Sequence, residues 1–388
     1  LFFKTYFSNR YLGKENTRMS EPTMKQFAYI FVIIFISGFC ACSSLDPLGH
    51  AKRLSSTPET STRAWSSALP VYDHIVIVVE ENKDYEEIIG NQDAPYTNNV
   101  LKAEGANFTQ MYGEEHFSQG NYFWLFSGDN QTVGFMDQVP SEETHPNYPF
   151  TTPNLGEQLI RKGLSFKGYA ESLPEIGYLG HKQGLYARKH VPWISFANLP
   201  NGKTVATSSN LRFTDFPTDP SQYDTLPTVA FVIPNLDNDM HNGPIENSIP
   251  AGDRWLKTNI DPYYQWAKDH NSLLILTFDE NDDKRAYLGL TNPSVDPTDC
   301  VGANRDEEYC VDLQNRIVTI FAGAHIKAGD YPEGKGTTHV NLLRTIEAMY
   351  GLPKAGAQQP NAAGMGISDE AIITDIFAID PSNPDLEK

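Results

Sequence analysis

From Val71 onward, apolar runs alternate with amphipathic stretches. Runs of four to seven apolar residues predict strands at 74–79 ("HIVIVV"), 107–112, 165–170, 228–233 ("TVAFVI"), 272–278 and 316–322 ("RIVTIFA"). Apolar spacing of three and four predicts helices at 95–104, 119–127, 154–163, 251–270, 339–350 and 368–378. Strands apolar on both faces, alternating with helices, predict an α/β fold. Its central sheet is mainly parallel, with helices on both faces. Two polar, Gly/Pro-rich stretches, 178–225 and 281–314, read as long loops over the sheet's rim. Residues 71–388 make one domain on this reading.

The N-terminal part follows another pattern. From Met24, one lysine precedes an apolar run from Phe27 to Phe39, too short for a bilayer and suited to a secretory signal. Cys42, between Ala41 and two serines, resembles the lipidated cysteine of bacterial lipoproteins, so residues 24–42 read as a signal peptide with a lipobox. Residues 1–23 read as upstream read-through, and 43–70, rich in Ser, Thr, Pro and Ala, as a flexible linker. The expected location is outside the cytoplasm: periplasmic, outer-membrane-attached or secreted, with an N-terminal lipid as membrane tether. Cys300 and Cys310 are then expected to close a disulfide loop in an oxidising compartment.

Charge narrows the chemistry. With 30 basic and 49 acidic residues among 388, the net charge is −19. That argues against nucleic-acid binding, and an anionic substrate needs a local positive centre. Acids nevertheless crowd two strand ends: Glu81 and Asn82 follow 74–79, and Asp279 and Glu280 follow 272–278. Ligands of open α/β sheets lie beyond the carboxyl ends of strands. Oxygens converging there call for a divalent cation, whereas separate loop acids need none. Ser118 stands where the 119–127 helix begins, so its hydroxyl is either an N-cap or a nucleophile at an anion-favouring helix start. No GxSxG elbow surrounds it, so activation must come from elsewhere, and a metal can supply it. The stretch "GDYPEGKG" (329–336) nearly spells a P-loop, but Gly336 stands where Ser or Thr must be, and nucleotide binding is set aside.

Seven motifs in one order, "EEN" (80–82), "HFSQGNYFWLFSG" (116–128), "YAESLP" (169–174), "YARKHVPW" (186–193), "PNLDNDMHNG" (234–243), "TFDEND" (277–282) and "HVNLLRTIEAMYGLP" (339–353), carry a resemblance. Together they resemble the bacterial and fungal phosphoesterases that include secreted acid phosphatases and phosphatidylcholine-type phospholipases C, within the alkaline-phosphatase-like superfamily. The resemblance implies Glu81, Asn82, Asp279 and Glu280 as metal ligands, with Ser118 as ligand and nucleophile. It implies Asn121 donating to a phosphoryl oxygen, His190, His241 and His339 around the transferred group, and Asp239 assisting. His116 is a neighbouring candidate. Asp239, His241 and His339 could instead hold a second ion, but the neutral amide of Asn82 favours one ion over two. Phe117 and Gly120 stand where the family usually has prolines.

The expected activity is that of a metal-dependent phosphomonoesterase, an acid phosphatase working through a phosphoserine. Its expected substrate is a phosphate ester, either a small molecule or a phosphoinositide or phospholipid head group. The alternative is a phospholipase C-type phosphodiesterase. An inactive scaffold that binds a phosphorylated ligand would lack Ser118 or a metal acid, and all are present.

Overall fold

The computed structural model describes residues 69–133, 137–282, 315–331, 336–364 and 366–378. The signal segment, most of the linker, Cys300 and Cys310, the 281–314 loop beyond Asp282 and the centre of "GDYPEGKG" lie outside the described residues.

Eight strands form the main sheet: β1 (His74–Glu80), β2 (Ala106–Phe108), β4 (Phe166–Ala170), β7 (Asn210–Arg212), β8 (Val229–Ile233), β9 (Ser272–Phe278), β11 (Thr319–Gly323) and β12 (Gly329–Tyr331). Their spatial order is β12-β2-β11-β9-β1-β8-β4-β7. β1 pairs in parallel with both β8 and β9, β4 with β7 and β8, and β12 with β2, while β11 runs antiparallel to β9 and β2. The predicted mainly parallel sheet is therefore present. β8 and β9 are buried along their whole length, and β1 is buried beyond His74. This is why they read as unbroken apolar runs.

Two expected strands divide between sheets. The 107–112 stretch gives β2 and then β3 (Met111–Tyr112), and 316–322 gives β10 (Arg316–Ile317) before β11. β3 and β10 join β13 (Thr337–Thr338) in a three-stranded sheet, so each stretch changes partner midway. The 178–225 stretch is more ordered than expected. It contains the hairpin β5 (Lys182–Gln183) and β6 (Tyr186–Ala187) and the edge strand β7.

The helices are α1 (Tyr85–Ile88), α2 (Ser118–Ser127), α3 (Leu155–Arg161), α4 (Ile245–Asn259), α5 (Asp261–Ala267), α6 (His339–Met349) and α7 (Pro360–Gly364). The expected helix over 95–104 is present, with a π-helical centre at Thr97–Lys102. The expected 251–270 helix is instead two helices. Pro262 sits in the first turn of α5 and withholds the donor that would continue α4. No helix forms over 368–378. Side chains of α6 take its backbone groups: Asn341 Nδ2 donates to the Ser368 and Ala371 carbonyls, and Thr345 Oγ accepts from Ile373 N–H. Among the described residues, no helix is long and apolar enough to cross a membrane.

α2 is buried at all ten positions. Phe123 packs edge-on against Phe150 and Phe196, and Phe126 against Phe196 and Phe231. Such pairs add roughly 0.5–1.5 kcal/mol each beyond area burial. The aromatic run that follows Ser118 thus fixes the helix, and with it the serine.

Candidate active site

The register of the central strands builds the site. Glu80 lies level with Phe278, so Glu81 and Asp279 leave the sheet side by side. Asp279 N–H donates to the Glu80 carbonyl at 3.0 Å, and Asn82 N–H to Asp279 Oδ1 at 3.0 Å. A third strand end closes in when Glu81 N–H donates to the Asp239 carbonyl at 2.7 Å. The loop carrying Asp239 is braced by Glu171 of the "YAES" stretch. Its carboxylate accepts from Asn235 N–H, Asn238 Nδ2 and Trp255 Nε1.

Ser118 begins α2 and points into this group. Its hydroxyl lies 2.9 Å from Glu81 Oε2, 3.4 Å from Glu280 Oε1 and 3.5 Å from Asn82 Oδ1. Phe117, just before it, has φ 83°, a conformation costly for any residue but glycine. The Phe117 N–H is held at 2.6 Å by Glu280 Oε2, which also lies 3.2 Å from His116 Nδ1. Asn82 (φ 47°) and Met240 (φ 70°), between Asp239 and His241, are strained in the same way. Strain of about 1–3 kcal/mol per residue persists only where surroundings impose it, and here it adjoins the candidate ligands.

Glu81, Asp239, Asp279 and Glu280 are each no more than 1% exposed. Burial first, then Asp239, pushes Glu81 up to about 8, against the pull of Lys189 and Tyr122. Burial likewise drives Asp239 and Asp279 well above the carboxylate range, with Asp279 adding to the first and Glu81 and Glu280 to the second. Lys83 and Lys189 do not offset four acids held so close, and a divalent cation among them would supply the missing charge. Glu81, His190 and Asp239 are a buried trio whose ligand atoms all lie within 4.8 Å of one another. This donor set fits a metal ion.

His190 Nε2 lies 3.2 Å from Glu81 Oε1 and its Nδ1 3.5 Å from Asp239 Oδ2. Its ring stacks on Tyr122 at 5.2 Å, and the Tyr122 hydroxyl donates to Glu81 Oε1 at 2.5 Å. Burial pulls His190 well below its usual pKa, with the charge of Lys189 adding to this, so the ring is neutral. The half-buried His241 stands 6.0 Å from His190, ring to ring, and its backbone N–H donates to Asp239 Oδ1 at 2.9 Å.

Two expectations change. Among the described residues, the trio with metal-ligand spacing is Glu81, His190 and Asp239, not Asp239, His241 and His339. The His241 ring is turned to Asn242 at 3.3 Å, and His339 meets the Phe278 carbonyl through Nε2 at 2.8 Å. Burial lowers His339 to about 4, which leaves it neutral, and its buried Nδ1 has no hydrogen-bond partner among the described residues. Asn121 is turned to its own chain. Its Oδ1 accepts from Glu114 N–H and Glu115 N–H, and its Nδ2 donates to the Glu115 carbonyl. It braces the turn before Ser118. A Cβ at position 120 would lie 1.6 Å from Glu115 Oε1, so any larger residue there needs the Glu115 side chain to move.

Tyr122, Lys189 and Glu171 escaped the sequence reading as site residues. Tyr122 and Lys189 each adjoin an assigned residue, Asn121 and His190, and that adjacency was the available signal.

A sequence model described as the Phosphoesterase family matches residues 91–353. A phosphatidylinositol-3-phosphatase of Mycobacterium tuberculosis is 40% identical over 338 residues, covering 87% of this chain and 93% of that protein. A phosphate-repressible acid phosphatase of Penicillium chrysogenum is 26% identical, covering 80% of this chain and 70% of that one. A solved Vibrio parahaemolyticus protein of the alkaline phosphatase superfamily overlaps 79% of this chain and 71% of its own, at 11% identity and a TM-score of 0.48. The chain belongs to the Phosphoesterase family and is a hydrolase of phosphoric esters.

Proposed function

We propose that this protein is an exported, metal-dependent phosphomonoesterase in which Ser118 is the nucleophile and carries the phosphoryl group as phosphoserine. The observation behind this reading is the Ser118 hydroxyl. It sits at the start of a buried ten-residue helix, behind a strained Phe117, within 3.5 Å of Glu81, Asn82 and Glu280. Glu81, Asn82, Asp279, Glu280, His190 and Asp239 would hold the cation, whose charge lowers the pKa of the serine hydroxyl and screens the phosphoryl oxygens.

Ser118 Oγ, its proton lent to Glu81 Oε2 at 2.9 Å and returned when the phosphoserine is cleaved, attacks phosphorus in line, and the bond to the substrate alcohol breaks on the opposite side. The departing oxygen takes a proton, a role assigned to His241 because burial keeps His190 and His339 neutral. Water then cleaves the phosphoserine, His241 receives its proton, and inorganic phosphate leaves. His190 is kept in place by Tyr122 and Asp239 and keeps the Glu81 carboxylate oriented. The relative named a phosphatidylinositol-3-phosphatase supports phosphoinositide monoesters among the substrates. Export rests on the apolar segment after Met24 and is tested by fractionating cells that express the full chain.

With excess divalent metal, Ser118→Ala is expected to lower p-nitrophenyl phosphate turnover roughly 10³-fold or more. Acid quenching of the wild type should trap phosphate on residue 118. Near-normal turnover by the variant refutes the nucleophile assignment. Cleavage of a choline phospholipid without monoester cleavage would favour the phosphodiesterase instead.

A further inference from the structure

A chain of net charge −19 must attract an anion to a site ringed by acids, so its nearby cations matter. Lys83 Nζ donates to the Asn82 carbonyl at 2.8 Å, and the residue is 3% exposed, out of a substrate's reach. Arg188 is engaged by the Leu179 carbonyl and the Tyr148 hydroxyl. Lys189 differs from both. Its side chain is 20% exposed, and burial, which works against its charge, is outweighed by Glu81, Asp137 and Asp279, so its pKa is raised. The ammonium therefore lies in the field of the candidate metal acids.

Its contact is specific. Lys189 Nζ lies 2.7 Å from Asp137 Oδ2, while Asp137 Oδ1 accepts from Gln119 N–H at 3.2 Å. Gln119 is the residue after Ser118, and its side chain holds the same segment through the Gln138 carbonyl at 2.7 Å. One carboxylate thus bridges a lysine and the backbone amide beside the nucleophile, one oxygen to each. A phosphoryl group presents the same pair of adjacent, anionic oxygens to the same two donors.

We propose that Lys189 is a substrate-binding residue, and that its ammonium and the Gln119 N–H take two oxygens of the phosphoryl group. Asp137 fills that place in the free protein and is displaced by the arriving anion. This rests on the phosphatase reading and adds to it a built-in competitor for phosphate. The same contacts hold the inorganic phosphate product, so Asp137 also speeds its departure.

The test uses the metal-loaded full chain, with inorganic phosphate as probe, read both by calorimetric binding and by inhibition of p-nitrophenyl phosphate hydrolysis. Lys189→Met is expected to weaken phosphate binding and raise KM about 10- to 100-fold, the range for losing a charge-assisted hydrogen bond, with a much smaller change in kcat. Asp137→Asn is expected to tighten phosphate about 3- to 10-fold, as losing a competing charge should. Combined with Lys189→Met, it should give no gain. Lys203→Met, removing a lysine paired with Glu175 at the exposed surface, controls for net charge and should change neither.

Phosphate affinity in Lys189→Met within twofold of that control overturns the proposal. So does weaker phosphate binding by Asp137→Asn, which would make Asp137 only a cap for α2. If Lys189→Met fails to fold, the Asp137→Asn result decides alone. A wild type that binds phosphate but hydrolyses no monoester would sink the phosphatase reading and leave the Lys189 assignment standing or falling on the binding data.

Discussion

Asn121 shows how a residue beside the candidate nucleophile can be tied to its own chain. It makes three hydrogen bonds to backbone groups of Glu114 and Glu115, all buried. Asn121→Ala strands two buried N–H groups, while the Glu115 carbonyl keeps Asn315 Nδ2 at 2.9 Å, and is expected to cost on the order of 2–4 kcal/mol of stability. A denaturant midpoint measures this, and an unchanged midpoint with lost kcat would return the amide to the substrate. Tyr122, one position on, bridges Glu81 and His190. Tyr122→Phe keeps the stacking and loses the hydroxyl, so metal affinity should weaken about tenfold, as loss of an outer partner of a ligand does. Titration of the metal-free protein followed by calorimetry would show it.

Among the elements, β4, paired on both sides beside the edge strand β7, shows how little room the sheet leaves. The Trp193 indole lies against Gly168, where an added Cβ would come within 2.1 Å of Cε2 and 2.2 Å of Cζ2. The ring cannot retreat, because it is 1% exposed and its Nε1 donates to Asn210 Oδ1 at 3.0 Å. Gly168→Ala is therefore expected to destabilise by about 1–3 kcal/mol. A thermal melt measures the loss. The failed helix at 368–378 is the opposite case. Its apolar spacing is helical, yet α6 side chains bind its backbone and hold it in turns.

For the whole molecule, buried charge couples stability to pH. Glu114 is fully buried, and burial pushes it up to about 7 despite hydrogen bonds from Thr338 and Val340. The folded state then holds a proton that the unfolded state releases from about pH 4.5 upward. Stability is present at low pH and falls as pH rises toward 7, by on the order of 3 kcal/mol for this group. Melting temperature should decline across that window, and Glu114→Gln, which cannot ionise, should flatten part of the decline. Glu81, Asp239 and Asp279 act in the same direction until a cation offsets them. Stripping metal with a chelator should lower the melting temperature and abolish hydrolysis, and excess metal should return about 2.7 kcal/mol at a hundredfold its dissociation constant. A melt unmoved by metal would argue that the acids hold none.

The sequence by itself determined the α/β class, the central strands and the strand ends that carry Glu81, Asn82, Asp279 and Glu280. Burial on both faces writes itself as unbroken apolar runs, and acids directly after such runs have one place to go, the sheet's carboxyl edge. It also marked Ser118, by its place before an aromatic helix. Only the tertiary structure decided which histidine meets Glu81 and Asp239. His190 lies 109 positions from Glu81 and arrives after a hairpin that no periodicity announces. The same holds for the bracing role of Asn121 and for the carboxylate that joins Lys189 to the start of α2. Local pattern records what a segment buries; which side chains meet depends on partners brought from elsewhere in the chain.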